Sequence, residues 1–212
     1  MSAVDVVRSW VPPVRCVALD YGGVLDVRPQ PGRWAMSPEF VPPGYEGFLA
    51  MVFRPRSRDA RRVGGSFPVD PECADAVRDL HELGLGLVVA SNTRPGQSRH
   101  HQLAVAGVRG LLREVLHSHE LGVAKPDHKF FEAVVAAAGC PASEVCYVGD
   151  RVRTDVVPAV AAGMRAVLVA PSGQSSETPD RWRGASGGVP DSAAVISHMR
   201  ELPALLARTA AA

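Results

Sequence analysis

Lysine is almost missing from this chain: Lys125 and Lys129 are the only two, and arginine carries the rest of the positive charge. Acidic and basic residues nearly cancel, leaving a formal net charge of +1. No global field therefore recruits nucleic acid or an anionic membrane surface. No apolar run approaches the ~18 residues of a bilayer-spanning helix. Met1 to Arg15 lacks the basic start and unbroken apolar block of a secretory leader. The cysteines Cys16, Cys73, Cys140 and Cys146 show no C-x-x-C spacing. Cys16 and Cys146 sit inside apolar runs, where cysteine acts as a small buried hydrophobe, and a reduced, cytoplasmic setting is expected. Seven histidines form no metal-ligand spacing, and His100 and His101 read as surface residues. No Gly-x-Gly-x-x-Gly follows a strand, which argues against dinucleotide binding.

What is present is alternation. At 212 residues, 46% of them hydrophobic, the chain can bury one good-sized core with a small insertion. Val14 to Asp20 reads as a first strand, an apolar run closed by a carboxylate and followed by Gly22 and Gly23. Further strands are expected at Leu85–Ala90, Val115–Ser118, Val145–Val148, Arg165–Ala170 and Ala194–Ile196. Helices are expected at Asp70–Leu83, Arg99–Val108, Pro126–Ala138, Val156–Ala162 and His198–Arg208. Asp70 and Pro71 look like the cap and first position of their helix. Residues 1–13, ending in Pro12 and Pro13, read as a poorly ordered lead-in. Pro171 to Val189 reads as a loop, and the Ala-rich end is expected to fray. The pattern predicts an α/β fold: a three-layer, Rossmann-like, doubly wound parallel sheet.

The alternation fails from about Val27 to Phe67, which is dense in proline and glycine apart from a possible short helix at Tyr45–Val52. The domain reading is a core of 14–27 and 68–212 with a small irregular cap over 28–67. Arg54, Arg56, Arg58, Arg61 and Arg62 in that segment are either a solvated basic face or an anion-attracting wall over a site.

Polar residues stand at the strand ends: Asp20, Ser91, Lys125 and the Gly149–Asp155 turn. A doubly wound sheet gathers such positions at its carboxyl edge. Asp20, Asp150 and Asp155 would repel one another there, and Lys125 alone does not balance them. A hard divalent cation such as Mg2+ would, because it takes carboxylates, waters and a substrate phosphate. Read singly, Asp150 and Asp155 are equally a helix cap and a first-turn acid.

Order and spacing add a resemblance. Asp20-Tyr21-Gly22-Gly23-Val24-Leu25, then Ser91-Asn92, then Lys125-Pro126, then Gly149-Asp150 through Asp155 resemble the four motifs of the haloacid dehalogenase superfamily. The likeness covers about residues 14–30 and 70–207. It implies a Mg2+-dependent phosphatase working through an aspartyl-phosphate. Asp20 would be the nucleophile, Ser91 would bind the transferring phosphoryl group, and Lys125 would neutralise both. Asp20, the Gly22 carbonyl, Asp150 and Asp155 would hold Mg2+, with Asn92 and Gly23 as further substrate contacts. The implied partner is a small or carrier-linked phosphorylated metabolite, such as a sugar phosphate, with no nucleic acid or membrane, in a monomer or homodimer.

One departure stands out. Phosphatases of this family usually carry a second Asp two residues after the nucleophile, to protonate the leaving group. Here that position is Gly22. Either the leaving group needs little help, or Asp26, His119 or a residue of the 27–67 segment serves in its place. The alternatives are a 2-haloacid dehalogenase and a phosphate-binding protein without turnover.

Overall fold

The structure is a computed structural model that describes residues 2–26, 66–170 and 189–207. The helix expected at Tyr45–Val52, the arginines of 54–62, nearly all of the 171–189 loop and the last five residues lie outside the described residues.

Short unbroken apolar runs become strands because both of their faces are covered. They are β1 (Cys16–Leu19), β2 (Gly86–Ser91), β3 (Glu114–His117), β4 (Val145–Gly149), β5 (Arg165–Val169) and β6 (Ala193–Ile196). All pair in parallel, in the order β3-β2-β1-β4-β5-β6. The strand order therefore reverses at β1, and the crevice beyond the carboxyl ends of β1 and β4 is the topological switch point. In register, Leu19 pairs with Val148 on one side and Val89 on the other. Asp20 thus emerges level with the end of β4.

Alternation along β1 divides the core. Val17, Leu19 and Tyr21 face one apolar layer, and Cys16 and Ala18 face the other. The first layer is covered by α2 (Pro71–Glu82), α3 (His100–Val105) and α7 (Leu202–Ala207). The second is covered by α5 (His128–Ala138) and α6 (Val157–Ala161), whose Phe130, Phe131, Val134 and Ala159 are fully buried. The Phe and Val side chains among them each contribute about 1.5–3 kcal/mol by leaving water.

Local signals set the helix ends. The Asp70 side chain accepts from the Glu72 N–H with Pro71 following, and Asp127 does the same for Lys129. The expected starts at Asp70 and Pro126 thus prove to be a cap and a residue two before α5. A four-residue helix α4 (Ser118–Leu121) follows β3 directly.

The lead-in differs from expectation. Ala3–Arg8 forms α1, opened by a capping box between Ser2 and Asp5. Val6, Val7 and Trp10 are buried in the first apolar layer, and the Arg165 guanidinium donates to the Val11 carbonyl. The prolines hid an amphipathic turn whose apolar residues dock on the sheet.

The helix expected from Val156 also differs. A π-helical turn at Val152–Val156 precedes α6. Such wide turns re-aim side chains and recur at functional sites. Asp26 and Val69 form an antiparallel bridge. The cap expected over 28–67 lies outside the described residues except for Ser66 and Phe67. No helix among the described residues is long and apolar enough to cross a membrane.

Candidate active site

Three carboxylates converge at the switch point. One oxygen each of Asp20, Asp150 and Asp155 lie within 4.8 Å of one another, and all three residues are buried. Lys125 stands among them. Its Nζ is 3.0 Å from Asp20 Oδ1 and 2.8 Å from Asp155 Oδ1. It also donates to the Tyr147 hydroxyl at 2.9 Å, and its ammonium rises past the Phe130 and Tyr147 rings from the second apolar layer. Burial by itself would lower the Lys125 pKa. Asp20, Tyr147 and Asp155 reverse that and hold the lysine well above its ordinary value, so it stays charged.

The backbone fixes each carboxylate. Asp20 Oδ1 accepts the Tyr21 N–H at 2.7 Å, and the Asp20 N–H donates to the Val148 carbonyl. Asp155 Oδ2 accepts the Arg151 N–H at 3.0 Å, which closes the π-helical turn. Burial pushes the Asp155 carboxyl upward, against the pull of Lys125. The turn opens at Arg151 without a side-chain cap. Both Asp150 oxygens are shut from solvent, and Arg151 Nε approaches Oδ1 to 3.8 Å.

Two glycines make room for this cluster. Gly23 has a φ of +83°, and a Cβ there would collide with the Asp150 carboxylate. A Cβ at Gly149 would meet the Asp155 side chain. Gly22 is buried in the turn between Asp20 and Gly23.

Ser91 and Asn92 occupy the adjoining edge at the end of β2. The Asn92 side chain clamps Lys125 from both sides of its peptide, donating to the Lys125 carbonyl at 3.0 Å and accepting its N–H at 2.9 Å. Thr93 is held in turn by the Ser118 hydroxyl. Ser91 does not touch the carboxylates. Its hydroxyl faces Arg99, whose Nε donates to it at 3.2 Å.

Of the acids and bases considered in place of Gly22, Asp26 has Oδ1 committed to the Gly23 N–H at 2.6 Å. His119 pairs through Nδ1 with the Thr93 hydroxyl at 2.8 Å. His100 and His101 are exposed, as expected. Sequence reasoning missed Tyr147 and Arg99. The one signal for Tyr147 was a hydroxyl inside the apolar run of β4.

Among the described residues, the carboxylates of Asp20, Asp150 and Asp155 outnumber the cations beside them, the buried Lys125 and the half-exposed Arg151, and leave a formal deficit of positive charge at the cluster. Buried oxygen donors with that deficit suit a hard divalent cation. Among the described residues, Asp70, Cys73 and His198 form one other close group. Those atoms are already spent: Asp70 and His198 cap helical turns, and Cys73 Sγ donates to the Val24 carbonyl.

A family model for haloacid dehalogenase-like hydrolases matches residues 41–163, a span that includes Ser91, Lys125, Asp150 and Asp155. A phosphoserine phosphatase from Thermus thermophilus is 35% identical over 112 residues, which cover 53% of this chain and 43% of that protein. A ribulose-1,5-bisphosphate 5-phosphatase from Halopiger xanaduensis is 29% identical over 141 residues, covering 62% and 58%. The chain thus spans about half the length of these relatives. Among solved structures, an L-2-haloacid dehalogenase from Xanthobacter autotrophicus superposes with a TM-score of 0.65 at 17% identity, covering 92% of this chain and 98% of that one. At that identity the likeness is one of fold.

Proposed function

The chain belongs to the haloacid dehalogenase-like hydrolase family, and from that premise we propose that it is a Mg2+-dependent phosphomonoester hydrolase working through an aspartyl-phosphate. The observation that carries this reading is the close group of Asp20, Asp150 and Asp155 around Lys125 at the sheet's switch point. Mg2+ held by these carboxylates and the Gly22 carbonyl would supply charge neutralisation between an anionic nucleophile and an anionic substrate.

The chain's own residues do the rest. Lys125 and the Tyr21 N–H grip Asp20 Oδ1, which fixes the plane of the carboxylate and leaves Oδ2 to attack phosphorus. The new P–O bond forms as the bond to the leaving oxygen breaks. Lys125 stays cationic throughout and offsets charge on Asp20 and on the phosphoryl oxygens. Ser91 and Asn92 form the opposite edge, where the Ser91 hydroxyl donates to a phosphoryl oxygen and the Gly23 backbone adds a contact. Water then attacks the phosphorus of the acyl phosphate, releasing phosphate and restoring the Asp20 carboxylate.

Gly22 supplies no acid, and a positioned acid is typically worth about 10²–10⁴ in rate. Asp26 is pinned to the loop. The reading therefore favours substrates whose leaving oxygen carries negative charge well, such as an anomeric sugar phosphate or an acyl phosphate. The relative named as a ribulose-1,5-bisphosphate 5-phosphatase supports a sugar phosphate as substrate; the bond in that name is an ordinary primary alkyl phosphate and does not bear on the leaving-group argument. The Asp26–Val69 bridge supports treating the segment between them as a small cap on the core.

The test is phosphate release across sugar phosphates, nucleotides and acyl phosphates. Turnover is expected with Mg2+, and its loss with EDTA and in Asp20→Asn. Release that survives Asp20→Asn, or turnover of a 2-haloacid in EDTA, would overturn the reading.

A further inference from the structure

Arg99 is buried to 7% exposure at the edge of the site, with no place in the chemistry above. Arginine remains charged in proteins, and burying it has to be compensated by geometry. Several such contacts are made by the described residues. Nη1 donates to the Ser66 hydroxyl at 2.6 Å, and the guanidinium lies over the Tyr21 ring at 4.5 Å. The backbone N–H donates to His117 Nε2 at 3.0 Å, so the neutral His117 ring carries its proton on Nδ1, toward Glu120 at 2.9 Å. Arg99 is thus held from Tyr21, Ser66 and His117 at once, and its Nε is aimed at Ser91 Oγ.

A guanidinium is a donor only, and a serine hydroxyl has one proton and two lone pairs. Ser91 Oγ must therefore accept from Arg99, and its proton must point elsewhere. Among the described residues, the one backbone acceptor in range is the Asn92 carbonyl at 3.4 Å, at the weak limit for an O–H donor. The hydroxyl proton is left available to a stronger acceptor at the sheet edge.

We propose that Arg99 is a positioning residue: by occupying a lone pair of Ser91 Oγ it turns the Ser91 proton toward the phosphoryl oxygens of the substrate. Ser66 assists by fixing the far end of the guanidinium. This inference rests on the phosphatase reading, because it needs a phosphoryl group at the edge of β2.

The test is a mutant cycle with p-nitrophenyl phosphate and Mg2+, using Arg99→Met, Ser66→Ala, Ser91→Ala and the Arg99→Met/Ser91→Ala pair. Arg99→Met should lower kcat/KM about tenfold to a hundredfold, the loss expected for one charge-assisted hydrogen bond. Ser66→Ala should lower it less, in the same direction. In the Ser91→Ala background, Arg99→Met should cost no more than about threefold, and Arg99→Lys should restore part of the loss. A merely structural role would instead give multiplicative losses, with a fall in melting temperature that tracks them. That result overturns the proposal, and Ser66→Ala carries the same test if Arg99→Met does not fold. If the wild type releases no phosphate, the phosphatase reading fails, and stabilisation by inorganic phosphate decides the inference. A shift lost in both Arg99→Met and Ser91→Ala retains the positioning role, and an unchanged or absent shift removes it.

Discussion

Replacing Lys125 with methionine takes the one ammonium out of a group of three buried carboxylates. At 3.0 and 2.8 Å, and an effective dielectric constant of about 20, each of its two contacts supplies about 5–6 kcal/mol of attraction before desolvation. Returning the ammonium to water recovers much of that. Breaking a buried pair from one side typically leaves a net loss of about 3–5 kcal/mol. Urea denaturation in EDTA should therefore show Lys125→Met less stable by that amount. Asp155→Asn removes one of the charges that the lysine balances, so the double variant should be more stable than the sum of the two losses by about 1–3 kcal/mol. A divalent cation and the ammonium compete for the same oxygens. Saturating Mg2+ should accordingly stabilise Lys125→Met more than it stabilises the wild type. Losses that add to within about 0.5 kcal/mol, together with equal Mg2+ responses, would refute the electrostatic account of the cluster.

Gly149→Ala should disable the site while sparing the sheet, because its Cβ meets the Asp155 side chain. Phosphate release should fall by at least about tenfold, with β-sheet circular dichroism retained; unchanged turnover would count against an ordered Asp155. Burial raises the Cys16 thiol from its ordinary 9.0 to about 12, and pushes Cys73 and Cys146 up as well. Thiol reagents at neutral pH should therefore leave those three unlabelled until the chain unfolds, and rapid native labelling of any of them would contradict the packing. The same shift has a sign for stability. Above pH 9.0 the unfolded chain loses the Cys16 proton while the folded chain keeps it, so stability should fall as pH rises from there toward about 12. Without an acid at position 22, kcat/KM for aryl phosphates should rise steeply as the leaving phenol becomes more acidic, and a flat dependence would reveal another proton donor.

Much of this was legible in the chain because strand ends are chemically marked. Apolar runs closed by Asp20, by Ser91 and by Gly149-Asp150 located both the sheet and the edge where its carboxylates gather, and the parallel order followed from helices lying between strands. The N-terminal helix was not legible to a reading that weighed Pro12 and Pro13 above the Ser2–Asp5 box. Its stability comes from Val6, Val7 and Trp10 docking on residues far along the chain. The π-helical turn eluded a search for a 3.6-residue period. Arg99 was hidden for a related reason: nothing beside it in sequence distinguishes it from the other arginines. Its burial is made by Tyr21, Ser66 and His117, which only the fold brings together.

Anomalous scattering from a crystal soaked in Mn2+ as a stand-in for Mg2+ puts the metal question to the molecule itself. The account requires one strong peak bounded by carboxylate oxygens of Asp20, Asp150 and Asp155, and its loss in Asp150→Ala. No peak there at saturating Mn2+, or a peak that survives Asp150→Ala, would contradict it.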